Sequence, residues 1–297
     1  MRNKRPPGMQ EKPVRTHDFH AEAHALQGEL TLPLETKISP QAFVKVAEEG
    51  GYLSERSNGF RFETILRYES AYTQVSGHKE RKAGHGWNTL ATSVVEGLNV
   101  LEVVTCDRVV SQIATEFPEE GYNPHIFFLG TRFDNLRICG HPVELDLDLN
   151  IFGDRLEDDS PYTRSSGFVD RVTQQHARIR EQQGGLKDRL AFLLERYNRL
   201  PESFASSSGN EEEAECSLVN KIEGGFPGRH CGHVIHIPHF GTVTLAKLKI
   251  KHSDPKPETR IYRKTLVELT MIDIQMGCAT TGSTSVGTAR TNGITKP

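Results

Sequence analysis

The segment from Trp87 to Asn150 constrains the fold more than any other part of the chain. Valine, isoleucine, threonine and aromatic residues dominate it, and turn residues recur at short intervals. This composition is typical of short strands packed in a sheet. Val109, Ile113 and Phe117 alternate with polar residues, which indicates a strand with one solvated face. The segment therefore predicts a mainly β fold, either an antiparallel sandwich or a curled, barrel-like sheet.

The length and composition of the chain agree with a globular β protein. A chain of 297 residues can form one large β domain or two average ones, and 36% hydrophobic with 25% charged residues is typical of a globular protein. Residues 1–16 are rich in proline, lysine and arginine and predict a flexible basic arm. Residues 17–278 are expected to form a single β-rich domain, and the small residues of 279–297 a tail or a low-complexity edge strand.

Residues 154–216 interrupt the strand pattern and predict a helical and flexible insertion. Within 168–200, apolar residues recur at spacings of three or four, which predicts amphipathic helices, whereas 205–215 has the composition of a linker. We expect the helices to cover an open face of the sheet; a lid or a partner-binding helix pair are the alternatives. A further short helix is predicted at 41–49, ended by Gly50-Gly51.

The segment from Arg229 to Phe240 holds the densest group of potential metal ligands. The candidate ligands are Cys231, His233, His236 and His239. Imidazole and thiolate are the usual ligands of zinc, and iron is the alternative metal. Residues three apart in a strand point to opposite faces, so all four could converge only if the chain turned at Pro238. Ordinary sheet or turn histidines are the other interpretation.

Two charged segments offer further candidate sites. Glu144, Asp146 and Asp148 fall on one face of a predicted strand, where carboxylates could share a cation or flank a scissile bond. The leucines between them favour a simpler interpretation, the solvated face of a strand. The hairpin tip at 76–86 could cradle a phosphate, but Glu80 lies among its cations and favours a solvated turn.

The remaining motifs limit the possible functions. Five cysteines are scattered without a CxxC pair, which indicates reduced thiols in a cytoplasmic protein; Cys106 and Cys139 are interpreted as buried and inert. The chain contains no GxSxG, HExxH or dinucleotide-binding motif. Its basic N-terminus lacks the apolar core of a Sec signal peptide, and no stretch approaches the apolar length of a membrane span.

Two functional hypotheses remain. A net charge of −3 gives no electrostatic reason to expect nucleic acid or a membrane as partner. The preferred hypothesis is a non-enzymatic, cytoplasmic β-scaffold for assembly or for binding an unknown small-molecule ligand, acting as a homo-oligomer without a cofactor. The alternative is a metal-assisted hydrolase or isomerase, with zinc or iron held by the histidine segment and the helical insertion as its lid.

Overall fold

A computed structural model of the protein describes residues 15–33, 35–81, 85–156, 160–182, 211–254, 264–277 and 280–296. Its first strands are β1 (Thr16–Asp18), β2 (Ala21–Leu32), β3 (Thr36–Gln41), β4 (Val44–Lys45), β5 (Gly51–Ser57), β6 (Phe60–Phe62), β7 (Leu66–Tyr68), β8 (Ser70–Lys79), β9 (His85–Val100), β10 (Val104–Pro118), β11 (His125–Phe127) and β12 (Arg132–Asp134). They are followed by β13 (Arg137–Ile138), β14 (His141–Pro142), β15 (Glu144–Leu147), β16 (Glu211–Ser217), β17 (Val219–Glu223), β18 (Arg229–Cys231), β19 (Val234–Ile237), β20 (Gly241–Ser253), β21 (Lys264–Gly277), β22 (Thr281–Thr291) and β23 (Ile294–Lys296). A 3-10 helix, Tyr162–Arg164, precedes helix α1, Ser166–Gln182. Within the described ranges, no helix has the length and apolar character that crossing a lipid bilayer requires.

The first sheet has nine strands, all paired antiparallel. Their order is β18-β19-β20-β21-β22-β2-β3, with β16 also paired to β20 and β4 to β2. The long central strands hold aliphatic residues in register, so that Ile272 of β21 lies between Leu245 of β20 and Val286 of β22. Each such side chain that is fully buried contributes about 2 kcal/mol to stability.

The second sheet has ten strands and is built on one long hairpin. β9 and β10 pair from Val100↔Val104 to Trp87↔Phe117. β8 lies on the other side of β9, and β5 lies outside β8. The short strands β11, β12 and β13 share the remaining edge of β10.

The two sheets pack face to face as a sandwich. β2, β21 and β22 contact β8, β9 and β10. The alanines of β2, Ala21, Ala23 and Ala25, are fully buried and allow close approach. The Ser93 hydroxyl donates across the interface to the carbonyl oxygen of His24 at 3.0 Å. The prediction of an antiparallel sandwich is confirmed; the sheets are not closed into a barrel.

At one row of residues across the first sheet, the buried side chains change from one face of each strand to the other. In β20, Leu245 and Leu248 are both fully buried although they are three residues apart. Between them Ala246 has φ 45°, and Gly287, in the same row of the sheet, has φ 64°. A positive φ interrupts the alternation of the pleat, so side chains beyond it change face. β2 and β21 change face at the same row, which keeps all four strands in register.

Helix α1 confirms the predicted helical insertion over the residues that the structure describes. Phe168, Val172, His176 and Ile179 form its buried face. This face packs against β16 and β18 of the first sheet. The remainder of the predicted helical stretch, 183–200, and the predicted linker lie outside the described residues.

The segment 41–49 differs from the prediction of a short helix. It contains the end of β3 and all of β4, and Ala42 has φ 47°. Val44 is buried opposite Ala23 of β2. Burial against the sheet therefore outweighs the helix-like spacing of a segment that is too short to form a stable helix alone.

The small residues near the C-terminus also differ from expectation. They were expected to form a tail or an edge strand, but β22 lies in the interior of the first sheet, between β21 and β2. Small side chains fit this position, because a Cβ on Gly287 would lie 3.2 Å from Val109 of the second sheet. β23 pairs with β1, with Thr16 opposite Lys296.

Candidate functional site

The structure separates the four predicted metal ligands. Cys231 and His233 are fully buried, His236 is half-buried and His239 is exposed. Cys231 lies opposite Val234 where β18 pairs with β19. Among the described residues, no group of three or more histidine, cysteine, aspartate or glutamate side chains could hold a metal ion. The predicted zinc or iron site therefore has no support in this geometry.

The buried part of the histidine segment is the docking surface of helix α1. Gly232 has φ 55°, and a Cβ there would lie 2.7 Å from Ile179. The Gly232 amide donates to Oε1 of Gln182 at 2.7 Å. Burial raises the pKa of the neighbouring Cys231 thiol. These contacts give the turn between β18 and β19 a structural role.

A buried polar network fixes the chain just before helix α1. Glu212 is only 5% exposed. It accepts hydrogen bonds from the Thr163 hydroxyl at 2.5 Å and from Nε of Arg164 at 2.7 Å. Arg164 also donates to Asp254 at 2.9 Å. The network therefore ties the 3-10 helix to the start of β16 and to the end of β20.

Beside this network, Thr265, His252 and Asp254 form a hydroxyl–imidazole–carboxylate series. His252 Nδ1 lies 3.1 Å from the Thr265 hydroxyl and Nε2 lies 3.3 Å from Asp254. Such a series can activate a nucleophile in hydrolases. Here His252 is 1% and Thr265 is 8% exposed. Although burial alone raises the pKa of Asp254, the hydrogen bond and charge of Arg164 lower it overall. Burial and the Arg164 ion pair both favour an anchoring role.

The acidic stripe lies on the solvent side of a small two-stranded sheet. Glu144 and Asp146 are exposed on β15, which pairs with β17. Asp146 accepts a hydrogen bond from the Asn220 side chain at 2.8 Å and lies opposite Lys221. Asp148 is half-buried and accepts the Asn150 amide at 3.1 Å. Asp146 and Asp148 are thus already paired with neighbouring polar groups, whereas Glu144 lies opposite Glu223 of β17.

The charged hairpin tip joins β8 to β9. Residues 82–84 of the tip lie outside the described residues. On its β9 side, His85 Nδ1 lies 2.6 Å from Oε1 of Glu116. His85, at the β9 end of the tip, therefore pairs with an acidic side chain.

Of the two thiols near strand ends, Cys106 is buried as expected, whereas Cys139 is only half-buried. Cys106 is 1% exposed and donates to the carbonyl oxygens of Arg108 and Asp134, each at 3.2 Å. Burial raises the pKa of Cys106 to about 12. Cys139 is half-buried, with φ 50°. A thiol is a nucleophile only as a thiolate, so Cys106 has the properties of an inert core residue.

A polar groove of about 300 Å³ lies on the first sheet beside β3. Its lining consists mainly of charged, amide and hydroxyl side chains: Gln27, Glu29, Lys37, Asp273, Ser283, Thr284 and Ser285. Asp273 is paired with Lys247. Most small-molecule sites are enclosed and largely apolar, so this groove suits only a small polar molecule. It is a weaker candidate site than the edge of the second sheet.

β5 forms that edge, outside β8. It pairs with β8 from Gly51↔Gly77 to Ser57↔Ala71, and within the described part of the chain no strand pairs with its other side. Six of its seven residues are exposed and the last is half-buried. One row of backbone N–H and C=O groups of β5 therefore has no partner strand among the described residues.

One face of β5 combines aromatic and cationic groups. Tyr52 is 60% exposed, and its hydroxyl lies 3.3 Å from that of Tyr72 on β8. The guanidinium carbon of Arg56 lies 5.4 Å from the centroid of the Tyr72 ring. Tyrosine and arginine, together with tryptophan, are enriched among the energetic anchors of protein interfaces.

The opposite face of β5 carries Leu53, which is 49% exposed, and Glu55. A single exposed leucine is common on protein surfaces. Here Leu53 follows Tyr52 directly, so the unpaired edge presents apolar area on both faces. Natural edge strands often carry lysine or proline, which prevent pairing with another chain; β5 has neither. The arrangement can therefore accept an additional strand.

β5 carries little strand signal in its sequence. Serine, glutamate and arginine dilute its strand propensity, and only Tyr52 and Leu53 favour a strand. The available signal was the pair of turn segments that bracket it, Gly50-Gly51 and Asn58-Gly59. Read together with the strand pattern that follows, they indicate a hairpin.

Comparison with known proteins identifies a family. Residues 17–251 match the family described as a domain of unknown function, DUF8256. The matched range extends from β1 into β20 and leaves out β21 and β22. No curated protein and no solved structure matches the chain. Because the match covers more than half of its length, the chain belongs to the DUF8256 family.

Proposed function

We propose that the protein is a non-enzymatic, cytoplasmic β-scaffold that assembles into homo-oligomers by strand addition at β5. The observation that carries the proposal is the seven-residue edge of β5, exposed on both faces and unpaired on one side among the described residues. Such an edge binds another strand through its backbone groups, while its side chains select the partner. Tyr52 and Leu53 supply apolar contact area.

The other candidate sites support the non-enzymatic part of this proposal. The metal-dependent alternative depends on Cys231, His233, His236 and His239, and among the described residues no three potential ligands are grouped closely enough to hold a metal ion. His252 and Cys106 are buried and hydrogen-bonded. The contacts of His252 and Cys106 stabilise the fold.

The proposal is tested by measuring the mass of the purified protein by light scattering over a range of concentrations. We expect a mass that is a multiple of that of the chain. A variant with Tyr52→Lys and Leu53→Lys should be a monomer with unchanged circular dichroism, because exposed positions tolerate such changes within about 0.5 kcal/mol.

The matched control is Leu129→Lys. Leu129 is 67% exposed, but it follows β11, on the opposite side of the second sheet from β5. This variant should keep the wild-type mass. A wild-type protein that stays monomeric at all concentrations, or an oligomer that survives the β5 substitutions, contradicts assembly at β5.

A further inference from the structure

We infer that β5 pairs with β5 of a second copy, antiparallel, about a twofold axis that passes between the two Ser54 residues. This inference rests on the proposed assembly at β5 and adds the partner and its register. The two ten-stranded sheets would then form one continuous sheet. An isologous contact of this kind closes on itself, so the product is a dimer and not a fibre.

Symmetry restricts the possible registers. Two antiparallel strands of one sheet are related by an axis perpendicular to the sheet, and opposite residues lie on the same face. Every symmetric register is therefore centred on one residue that faces its own copy. Ser54 is the middle residue of β5, so only its register pairs the whole strand, from Gly51 opposite Ser57 onwards.

The side chains favour the same register. With Ser54 at the centre, Tyr52 lies opposite Arg56 of the second copy, and the twofold axis generates this pair twice. Arg56 already lies 5.4 Å from the ring of Tyr72 within its own chain. Its guanidinium would therefore lie between two tyrosine rings, one from each copy, which is a favourable cation–π arrangement. On the other face, the two Leu53 side chains become diagonal neighbours within reach of each other.

The three neighbouring registers are less favourable. A centre at Glu55 puts the two Glu55 carboxylates face to face, and a centre at Arg56 does the same with two guanidinium groups. Like charges directly opposite in a sheet are destabilising. A centre at Leu53 places Arg56 opposite Gly50 of the second copy, so that Arg56 contacts no ring of that copy. Of the registers centred on Leu53, Ser54, Glu55 and Arg56, only the Ser54-centred one avoids these losses, and it also pairs the whole of β5.

Disulfide cross-linking tests the register. Residues directly opposite in an antiparallel pair have Cα atoms about 4.5–5.5 Å apart, which a disulfide can span. Under mild oxidation, Ser54→Cys should therefore form a covalent dimer in most molecules. The matched control is Glu55→Cys, whose two copies would be offset by two residues, about 8 Å apart, and should link poorly. Wild-type protein, in which Cys106, Cys216 and Cys231 are buried, supplies the background.

A charge exchange tests the same contact without oxidation. Tyr52→Lys places a new cation opposite Arg56 of the second copy and should raise the dimer dissociation constant by about tenfold or more. Adding Arg56→Glu to that variant should restore the wild-type constant, because each new lysine then faces a new glutamate. Tyr52→Glu alone should leave the dimer intact.

The outcomes separate this inference from the proposed function. Suppose that the β5 variants lose the dimer, but Glu55→Cys cross-links as well as Ser54→Cys, or the charge exchange does not restore dimerisation. Either result would overturn the Ser54-centred register, whereas assembly at β5 would still hold. A mass above that of a dimer overturns the closed twofold contact. A wild-type protein that is monomeric at every concentration overturns the proposed assembly and, with it, the second copy as partner.

Discussion

The imidazole of His17 stacks on the indole of Trp87, with ring centroids 5.3 Å apart and planes 16° apart. The ring of Phe117 lies 4.5 Å away, and Nδ1 of His17 is 3.0 Å from the Thr295 hydroxyl. Burial lowers the pKa of His17 to about 4, although the charge of Asp18 opposes the shift. The pairing of β1 with β23 therefore encloses a neutral histidine.

We expect the stability of the protein to fall as the pH is lowered from 6.5 to 4. In this window the unfolded chain binds a proton at His17 and the folded chain does not, so each such histidine removes about 1.4 kcal/mol per pH unit. His24 and His176, whose pKa values burial also lowers to about 4, add to the slope. Urea unfolding at pH 7.5, 5.5 and 4.5 measures the effect. His17→Phe should reduce the pH dependence of the free energy of unfolding by the contribution of one histidine. His78→Phe, at an exposed position, is the control and should leave it unchanged. Equal pH dependence in the two variants would refute the prediction.

Gly287→Ala should destabilise the fold by about 1–2 kcal/mol, because an L side chain is strained at positive φ. Gly287 has φ 64°, and the new Cβ would lie 3.2 Å from Val109 and 3.4 Å from Met271. Gly277→Ala, in the same sheet with open space around it, should change the free energy of unfolding by less than about 0.5 kcal/mol. Thermal and urea unfolding of both variants provide the comparison, and similar losses in the two would contradict the strain.

Glu212→Ala should lower the free energy of unfolding by about 2–3 kcal/mol, because it removes the buried acceptor of the hydrogen bonds from Thr163 and Arg164. Glu213→Ala is the neighbouring control. Glu213 is half exposed and pairs with Lys249 at 2.7 Å, a surface ion pair worth less than about 1 kcal/mol. Hydrogen exchange should show faster opening of helix α1 in the first variant only. Equal exchange in both variants would mean that the network does not anchor the helix.

Thiol labelling should separate the described cysteines. Cys139 is half-buried and should react first with a thiol reagent in the native state. Cys106 has a pKa of about 12, so at pH 8 only about one molecule in ten thousand carries its thiolate, and burial raises the pKa of Cys216 too. Both should label only after unfolding. Peptide mass spectrometry identifies which cysteines are labelled. Rapid labelling of Cys106 in the native state would contradict its inert role.

The sheets were predictable where alternation of apolar and polar residues is uninterrupted. Val109, Ile113 and Phe117 of β10 follow this pattern and are all buried. The pattern fails at Ala246, because a positive φ at an alanine has no local sequence signature and yet changes the face of every later residue in β20. Pairing with distant strands therefore determines which residues of β20 are buried beyond Ala246, and the local sequence pattern does not.

The candidate site was harder to predict than the fold. The histidine segment attracted attention because ligand residue types cluster there, but register and burial determine whether ligands converge. β5 was missed because its importance comes from what lies beside it, namely β8 on one side and solvent on the other. A single sequence does not report which strand ends a sheet.

The interior position of β22 determines when the first sheet can be completed during synthesis of the chain. The Thr284 hydroxyl of β22 bonds to the carbonyl oxygen of Gln27 in β2 across a sequence separation of 257 residues. At about 5–20 residues per second, a ribosome makes these partners roughly 13–50 s apart. During that interval one edge of β2 has no partner strand, although its alanine face is already apolar. The sandwich can close only after β22 has been synthesised, so a holding chaperone that acts on nascent β2 should raise the yield of folded protein in the cell.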